Sequence, residues 1–288
     1  MGSGNWDAAA YNCYTTSYRG MSATDFSSKT DYSVQEMYKS RAIADGLNPL
    51  NVMRECCDSE EHPNTLPVIL ALDVTGSMGD AAMKVAQKLN EIMTTLYDSN
   101  AVKDIEFCVM GIGDLAYDRA PIQISQFESD IRIAEQLDQI YFEAGGGGNS
   151  YESYSAAWYM GVRHCKLDCW NRGRKGIIIT MGDELPNPYL PTRLERIAGD
   201  KLQGEVNTKE LLEEAKEKFD IYHLAINDEE TSYSYHAHLG LDKKWKELLG
   251  DNFSVVTLNS LAQKIINIIT AHAEGAAVNV NSNNEVTW

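Results

Sequence analysis

The stretch "PVILALDVTGSMGD", Pro67 to Asp80, closes an apolar run with three oxygen donors, Asp73, Thr75 and Ser77, spaced two apart. A turn leaving a buried strand can bring one carboxylate and two hydroxyls at this spacing to a single point. Gly76 between the hydroxyls removes side-chain bulk from that turn. Such a trio is an incomplete shell for a hard divalent cation, which needs six or more oxygens. A second chemistry uses nearly the same string, with the aspartate as a nucleophile that accepts a phosphoryl group. By residue frequency alone, D-x-[ST]-x-S turns up in roughly a tenth of chains this long, so its meaning rests on context.

Other oxygen-bearing residues stand where such a shell would need them. "AGGGGNSYES" carries Asn149, Ser150 and Glu152 just ahead of a helical pattern, and "TMGDELP" carries Asp183 and Glu184. "GIGD" ends in Asp114, and "ND" supplies Asn227 and Asp228. In "NDEETSYSYHAHLGL", Tyr233, Tyr235, His236 and His238 read either as an aromatic contact patch near the cation or as a loop packed on its neighbours. His236 and His238 have the spacing of one strand face but no third ligand. Tyr151, Tyr154 and Trp158 sit at helical spacing and read as core anchors. Cys165 and Cys169 lie one helical turn apart beside His164, with no second pair to complete a zinc site. No Ser–His–Asp, Cys–His or paired catalytic carboxylate arrangement is evident, so a binding protein is expected rather than an enzyme.

The elements that must position these groups follow from periodicity. "PVILALD" and "KGIIITMGDE" are continuous apolar runs, the mark of strands buried on both faces. "IEFCVMGIGD", "PIQISQF", "DIYHLAIND" and "FSVVTL" read as further strands. "DAAMKVAQKLNEIMTTLYD" spaces Met83, Ala86, Leu89, Ile92, Met93 and Leu96 as a helix does. Helices are also expected in "DIRIAEQLDQIYF", "YSAAWYMGVRHC", "NTKELLEEAKEKF" (capped by Asn207 or Thr208), "KKWKELLG" and "SLAQKIINIITAHAE". Strands alternating with helices predict a doubly wound, mostly parallel six-stranded sheet covered on both faces, a Rossmann-like α/β fold. Ligands in such folds bind at the carboxyl ends of the strands, where the oxygen donors gather.

Residues 67–274 form the expected domain, preceded by a polar extension over 1–66 and followed by an Asn-rich tail over 275–288 with a short edge strand. The extension has one expected helix, "SVQEMYKSRAIADG", closed by Gly46. With 42 acidic against 25 basic residues, the chain carries a formal charge of −17, which disfavours nucleic acid and anionic membranes. No apolar run approaches the ~20 residues that span a bilayer, and no basic-then-apolar leader pattern opens the chain. Six cysteines in 288 residues are too few for a disulfide scaffold, so reduced thiols and a cytoplasmic setting are expected.

On these motifs the chain resembles the von Willebrand factor A (vWA) domain family and its metal-ion-dependent adhesion site. That family places D-x-S-x-S after the first strand, a Thr on a Gly-rich loop in mid-domain, and an Asp after the fourth strand. "DVTGS" matches, with Thr75 keeping a hydroxyl, and "GGGGNSYES" resembles the loop, with Ser150 or Asn149 in the Thr position. "TMGDE" stands where the family has T-D-G, so its Asp183 comes two residues late. The resemblance covers Pro67 to Ala273. It implies Mg²⁺ (or Mn²⁺ or Ca²⁺) among Thr75, Ser77 and Ser150, with Asp73 and Asp183 close by through water. It also implies a protein partner that offers an Asp or Glu to the cation, AAA+ ATPases and components of larger assemblies being the partner class.

Two alternatives stay open. The chain also resembles haloacid dehalogenase-like phosphotransferases, with Asp73 as nucleophile and Asp183 as a magnesium ligand. Against that, Asn187 stands where a second acid is expected, a long helix follows the motif at once, and Lys175 lies before strand four rather than after it. The other alternative is a metal-free vWA scaffold.

Overall fold

The computed structural model describes residues 4–31, 33–99, 104–143 and 149–275. Six strands form the central sheet: β1 (Leu66–Asp73), β2 (Ile105–Ile112), β3 (Ile122–Ile124), β4 (Gly176–Gly182), β5 (Phe219–Ile226) and β6 (Phe253–Val256). Their order is β6-β5-β4-β1-β2-β3, parallel throughout except for β3, which runs antiparallel to β2. This is the mixed α/β architecture expected from the sequence. β1 and β4 occupy the middle, which explains why neither shows polar alternation. Val68, Leu70 and Leu72 enter one core and Ile69 and Ala71 the other. A strand buried on both faces has no solvent side on which a polar residue would be stable.

Helices cover both faces. α4 (Gly79–Asp98), α5 (Arg132–Asp138) and α11 (Leu258–Ala273) pack on the first. α6 (Ser155–Arg163), α7 (Leu194–Ala198), α8 (Thr208–Lys216) and α10 (Leu241–Leu249) pack on the second. Asn207 caps α8, accepting from the N–H groups of Lys209 and Glu210. Among the described residues no helix is long and apolar enough to cross a membrane.

The amino-terminal segment departs from expectation. It contains α1 (Ala8–Arg19), capped by Asp7 and closed by left-handed Gly20, and α2 (Ala23–Ser28), capped by Ser22. The helix expected over residues 33–46 is one turn only, α3 (Val34–Met37), started by a Ser33–Glu36 capping box. It stops because Tyr38 turns extended, buries its ring and donates to the Ala82 carbonyl of α4 at 3.0 Å. Tertiary burial there outweighs helix propagation. Trp6, Tyr11, Phe26, Met37, Tyr38 and Leu47 join the same core as α4. The edge strand expected in the tail falls on residues 276–288, outside the described residues.

A buried ion pair, Arg19 with Asp138 of α5, fastens α1 down; Tyr14 adds a hydrogen bond to the same carboxylate at 2.7 Å. The Arg19 guanidinium also lies 4.2 Å from the centre of the Phe26 ring. Removing one partner of a buried pair strands the other charge. Arg19→Ala should therefore lower the unfolding free energy by about 3 kcal/mol in urea melts. A loss below about 1 kcal/mol, the scale of a surface pair, would mean that α1 is not integral to the domain.

Candidate functional site

Asp73 ends β1 between β2 and β4 and is fully buried. The chain then turns through Thr75 into a 3-10 turn, Gly76–Met78, and runs straight into α4. A side chain at Gly79 would place its Cβ 2.4 Å from Val34, so α3 presses on the first turn of α4. The turn feeds the carboxylate. Thr75 donates to Asp73 Oδ1 through its amide at 2.9 Å and its hydroxyl at 2.5 Å. Tyr154, just before α6, donates its hydroxyl to Asp73 Oδ2 at 2.7 Å.

Ser77 reaches the neighbouring strand end, its hydroxyl donating to Asp183 Oδ1 at 3.1 Å. Asp183 Oδ2 accepts from the Ser232 amide at 2.5 Å and hydroxyl at 2.7 Å. Asp73, Thr75, Ser77 and Asp183 are thus brought together. Met181 is buried in the core with α4, and a Cβ on Gly182 would lie 1.9 Å from the Tyr154 hydroxyl oxygen. Asp183 is the next residue along, and it meets Ser77.

The loop before α6 contributes differently from expectation. Asn149 donates to Asp114 Oδ2 at 2.8 Å and accepts from the Tyr151 amide at 2.9 Å, so its side chain braces Asp114. Ser150 is half-buried and makes no side-chain hydrogen bond to Asp73, Asp114 or Asp183. Residues 144–148, most of the Gly-rich run, lie outside the described residues. Glu152 is only 3% exposed, and its Oε2 has no hydrogen-bond partner among the described residues. Glu184 lies beside Ser232, and its Oε2 is 3.1 Å from His236 Nε2.

Burial and crowding of like charge govern the electrostatics. Burial, then Asp183, pushes the Asp73 carboxyl up to about 7. Burial, then Asp73 and further acids, pushes Glu152 up to about 12. Burial, then Asp183 and Asp73, pushes Glu184 up to about 8. No lysine or arginine pairs with these carboxyls among the described residues. Nor do any three Asp, Glu, His or Cys side chains there converge closely enough to hold a metal by themselves, so hydroxyl oxygens would have to complete a shell.

Other sequence expectations resolve plainly. "YSYHAH" is a helix, α9 (Tyr233–His238), not a loop or strand, so His236 and His238 part company: His236 is buried beside Glu184 and His238 is exposed. Tyr233 is buried with its hydroxyl on Asp242 at 2.7 Å, which leaves Tyr235 as the exposed aromatic of that segment. His164 uses both ring nitrogens, on the Val52 carbonyl at 2.9 Å and Asp200 at 2.6 Å, and all six cysteines are free thiols. Lys175 lies at the amino end of β4, 3.7 Å from Asp220, and Asn187 donates to Ser153. Tyr154 is the site residue that spacing did not mark. It is a core anchor as read, packed on Trp245 and His223, but its hydroxyl also holds Asp73.

No protein-family model matches the chain, and no curated protein matches it. Among solved structures it is similar to the pilus adhesin SpaC from Lactobacillus rhamnosus GG, with 13% identity and TM-score 0.47 over 72% of this chain and 30% of that one. It is similar to proximal thread matrix protein 1 from the mussel byssus, with 10% identity and TM-score 0.46 over 76% of this chain and 49% of that one. It is also similar to BatB from Bacteroides thetaiotaomicron, a conserved hypothetical protein, with 17% identity and TM-score 0.41 over 73% of this chain and 99% of that one. The chain thus spans less than half the length of the first two.

A carboxyl whose pKa is raised in the fold favours folding while protonated. The Asp73 contribution is complete below about pH 4, where an unfolded carboxyl titrates, and is lost as pH rises through about 7. Asp73→Asn removes that titration. In metal-free urea melts, the stability of the Asn variant relative to wild type should grow by on the order of 2 kcal/mol from pH 5 to pH 8. A difference that stays constant or shrinks would place the strain elsewhere.

Proposed function

We propose that this chain is a vWA-type interaction module that holds Mg²⁺ or Mn²⁺ at the carboxyl rim and presents it to an Asp or Glu of a protein partner. The observation that carries the reading is the Ser77–Asp183 hydrogen bond, which joins the D-x-T-x-S turn to the next strand end beside buried Asp73. Thr75 and Ser77 both direct their hydroxyl protons at carboxylates, which leaves oxygen lone pairs for a cation. The donor set is oxygen throughout, as hard cations require, and among the described residues no lysine or arginine pairs with the crowded carboxyls. These features fit a divalent ion.

In this reading Thr75 and Ser77 hold the ion directly, the loop before α6 supplies a further oxygen, and Asp73 and Asp183 orient the hydroxyls and bound water. Asn149 supports the loop through Asp114. When bound, the ion supplies positive charge and a coordination position for an outside oxygen. Binding fits better than phosphoryl chemistry at Asp73, because both of its oxygens are taken by Thr75 and Tyr154 and none of its surface faces solvent.

Calorimetric titration with Mg²⁺ and Mn²⁺ tests the proposal. At 100-fold excess over its dissociation constant the ion should stabilise the fold by about 2.7 kcal/mol. Ser77→Ala and Asp73→Ala should abolish both the heat and the stabilisation, and EDTA should release any captured partner. Absence of heat and of any shift in melting temperature with wild type would favour the metal-free scaffold. Turnover of a generic phosphate ester, lost with Asp73→Ala, would favour the phosphatase.

A further inference from the structure

The loop before α6 was expected to give a cation Ser150 or Asn149. Asn149 spends both ends of its amide on Asp114 and Tyr151, and Ser150 makes no side-chain hydrogen bond to Asp73, Asp114 or Asp183. Two residues further on, Glu152 combines burial, an unpartnered oxygen and acidic neighbours at the rim. It is only 3% exposed, and its Oε2 meets no donor among the described residues. The charges that act on it most strongly are acidic, led by Asp73 and followed by Asp118, Asp114 and Glu184.

Its backbone leaves it little freedom to move away. Tyr151 and Glu152 pair in parallel with Leu185 and Pro186, the residues that directly follow Asp183 and Glu184. The Glu152 carbonyl also accepts from the Asn187 amide at 3.1 Å. The strand that places Glu152 is thus tied to the same segment that places Asp183. A buried carboxyl oxygen without a donor is costly, and such groups in native folds call for a partner. Asp138 has Arg19 and Tyr14, and Asp118 accepts from the Asp114 amide at 2.6 Å. Glu106 and Glu128 also keep an Oε2 without a hydrogen bond among the described residues, but Glu106 lies at the amino end of β2, away from the rim, and Glu128 pairs with Arg132.

We propose, resting on the metal reading above, that Glu152 is the ligand this loop gives the cation, its carboxylate taking the role assigned to Ser150 or Asn149 beside Asp73, Thr75, Ser77 and Asp183. A carboxylate bound directly, where Asp73 and Asp183 act through water, changes the character of the site. It adds charge that binds the ion more tightly, and it can coordinate through one or both oxygens, which admits larger ions such as Ca²⁺ or Mn²⁺ as well as Mg²⁺.

The test uses the full chain with Mn²⁺ alone, titrated by calorimetry and by water-proton relaxation, in wild type, Glu152→Gln, Glu152→Asp, Glu152→Ala and Ser150→Ala. Glu152→Gln and Glu152→Asp are expected to weaken Mn²⁺ binding by about 10-fold or more. Glu152→Ala should raise the relaxation enhancement of bound Mn²⁺, as water enters the vacated position. Ser150→Ala should stay within about twofold of wild type. Metal-free melting of Glu152→Gln should match or exceed wild type, since an amide replaces an unpartnered carboxyl; that separates lost affinity from lost fold. Wild-type affinity in the Glu152 variants, or a loss confined to Ser150→Ala, overturns the assignment while the metal reading stands. Failure of wild type to bind Mn²⁺ overturns both.

Discussion

The constraint on which the rim depends is the enforced proximity of buried carboxyls. β1 and β4 are adjacent parallel strands, so their carboxyl ends open at the same edge, and each delivers a fully buried aspartate there. Two charges in such surroundings repel strongly, because little water screens them. The fold responds with donors. Thr75 gives an amide and a hydroxyl to Asp73, Tyr154 gives a hydroxyl, and Ser232 gives an amide and a hydroxyl to Asp183. These hydrogen bonds lower the strain without cancelling it, since the Asp73 carboxyl still lies up at about 7. Carboxyls so crowded hold their protons to higher pH than free ones do, and the edge keeps that tension in the folded chain.

The scaffolding behind this edge is aromatic. Tyr154 is wedged against His223 and Trp245, whose own rings stack at 3.6 Å. Trp245 Nε1 donates to the Glu184 carbonyl at 3.2 Å, so α10 holds the β4 exit from below while Ser232 holds it from above. The Gly182 backbone can approach the Tyr154 hydroxyl only because it carries no Cβ. One packing arrangement therefore sets the position of Asp73 through Tyr154 and that of Asp183 through Gly182. Side chains far apart in the chain share one set of rigid neighbours, which is how such a site keeps its geometry between loops.

The central fold was legible because its signals are local and strong. β1 and β4 are uninterrupted apolar runs, and α4, α8 and α11 repeat their apolar residues at helical spacing. Asp73, Thr75 and Ser77 were legible because they lie within five residues, and Asp183 because acids at strand ends of such sheets converge. The remainder depends on partners distant in sequence. α1 buries only Tyr11 and Thr15, too little to print a periodic stripe, and α9 buries only Tyr233 and His236. Tyr154 read as a core residue because its carboxylate partner is 81 positions away. Glu152 was legible only as one of three oxygen carriers in its loop, since what distinguishes it, an Oε2 with no donor among the described residues, exists only in three dimensions.

The amino-terminal segment joins this logic at a single point. The turn that carries Thr75 and Ser77 ends at Gly79, and Val34 of α3 sits where a Gly79 side chain would be. Tyr38 and Tyr11 then bond to carbonyls of α4 at Ala82 and Ala86, along the same helix face. The helix that begins at the D-x-T-x-S turn is therefore held from one side by the sheet and from the other by the segment before it. Rotation or sliding of α4 would shift Ser77 relative to Asp183, and both layers resist that motion. The chain that precedes the motif thus helps fix the distance on which the site's chemistry turns.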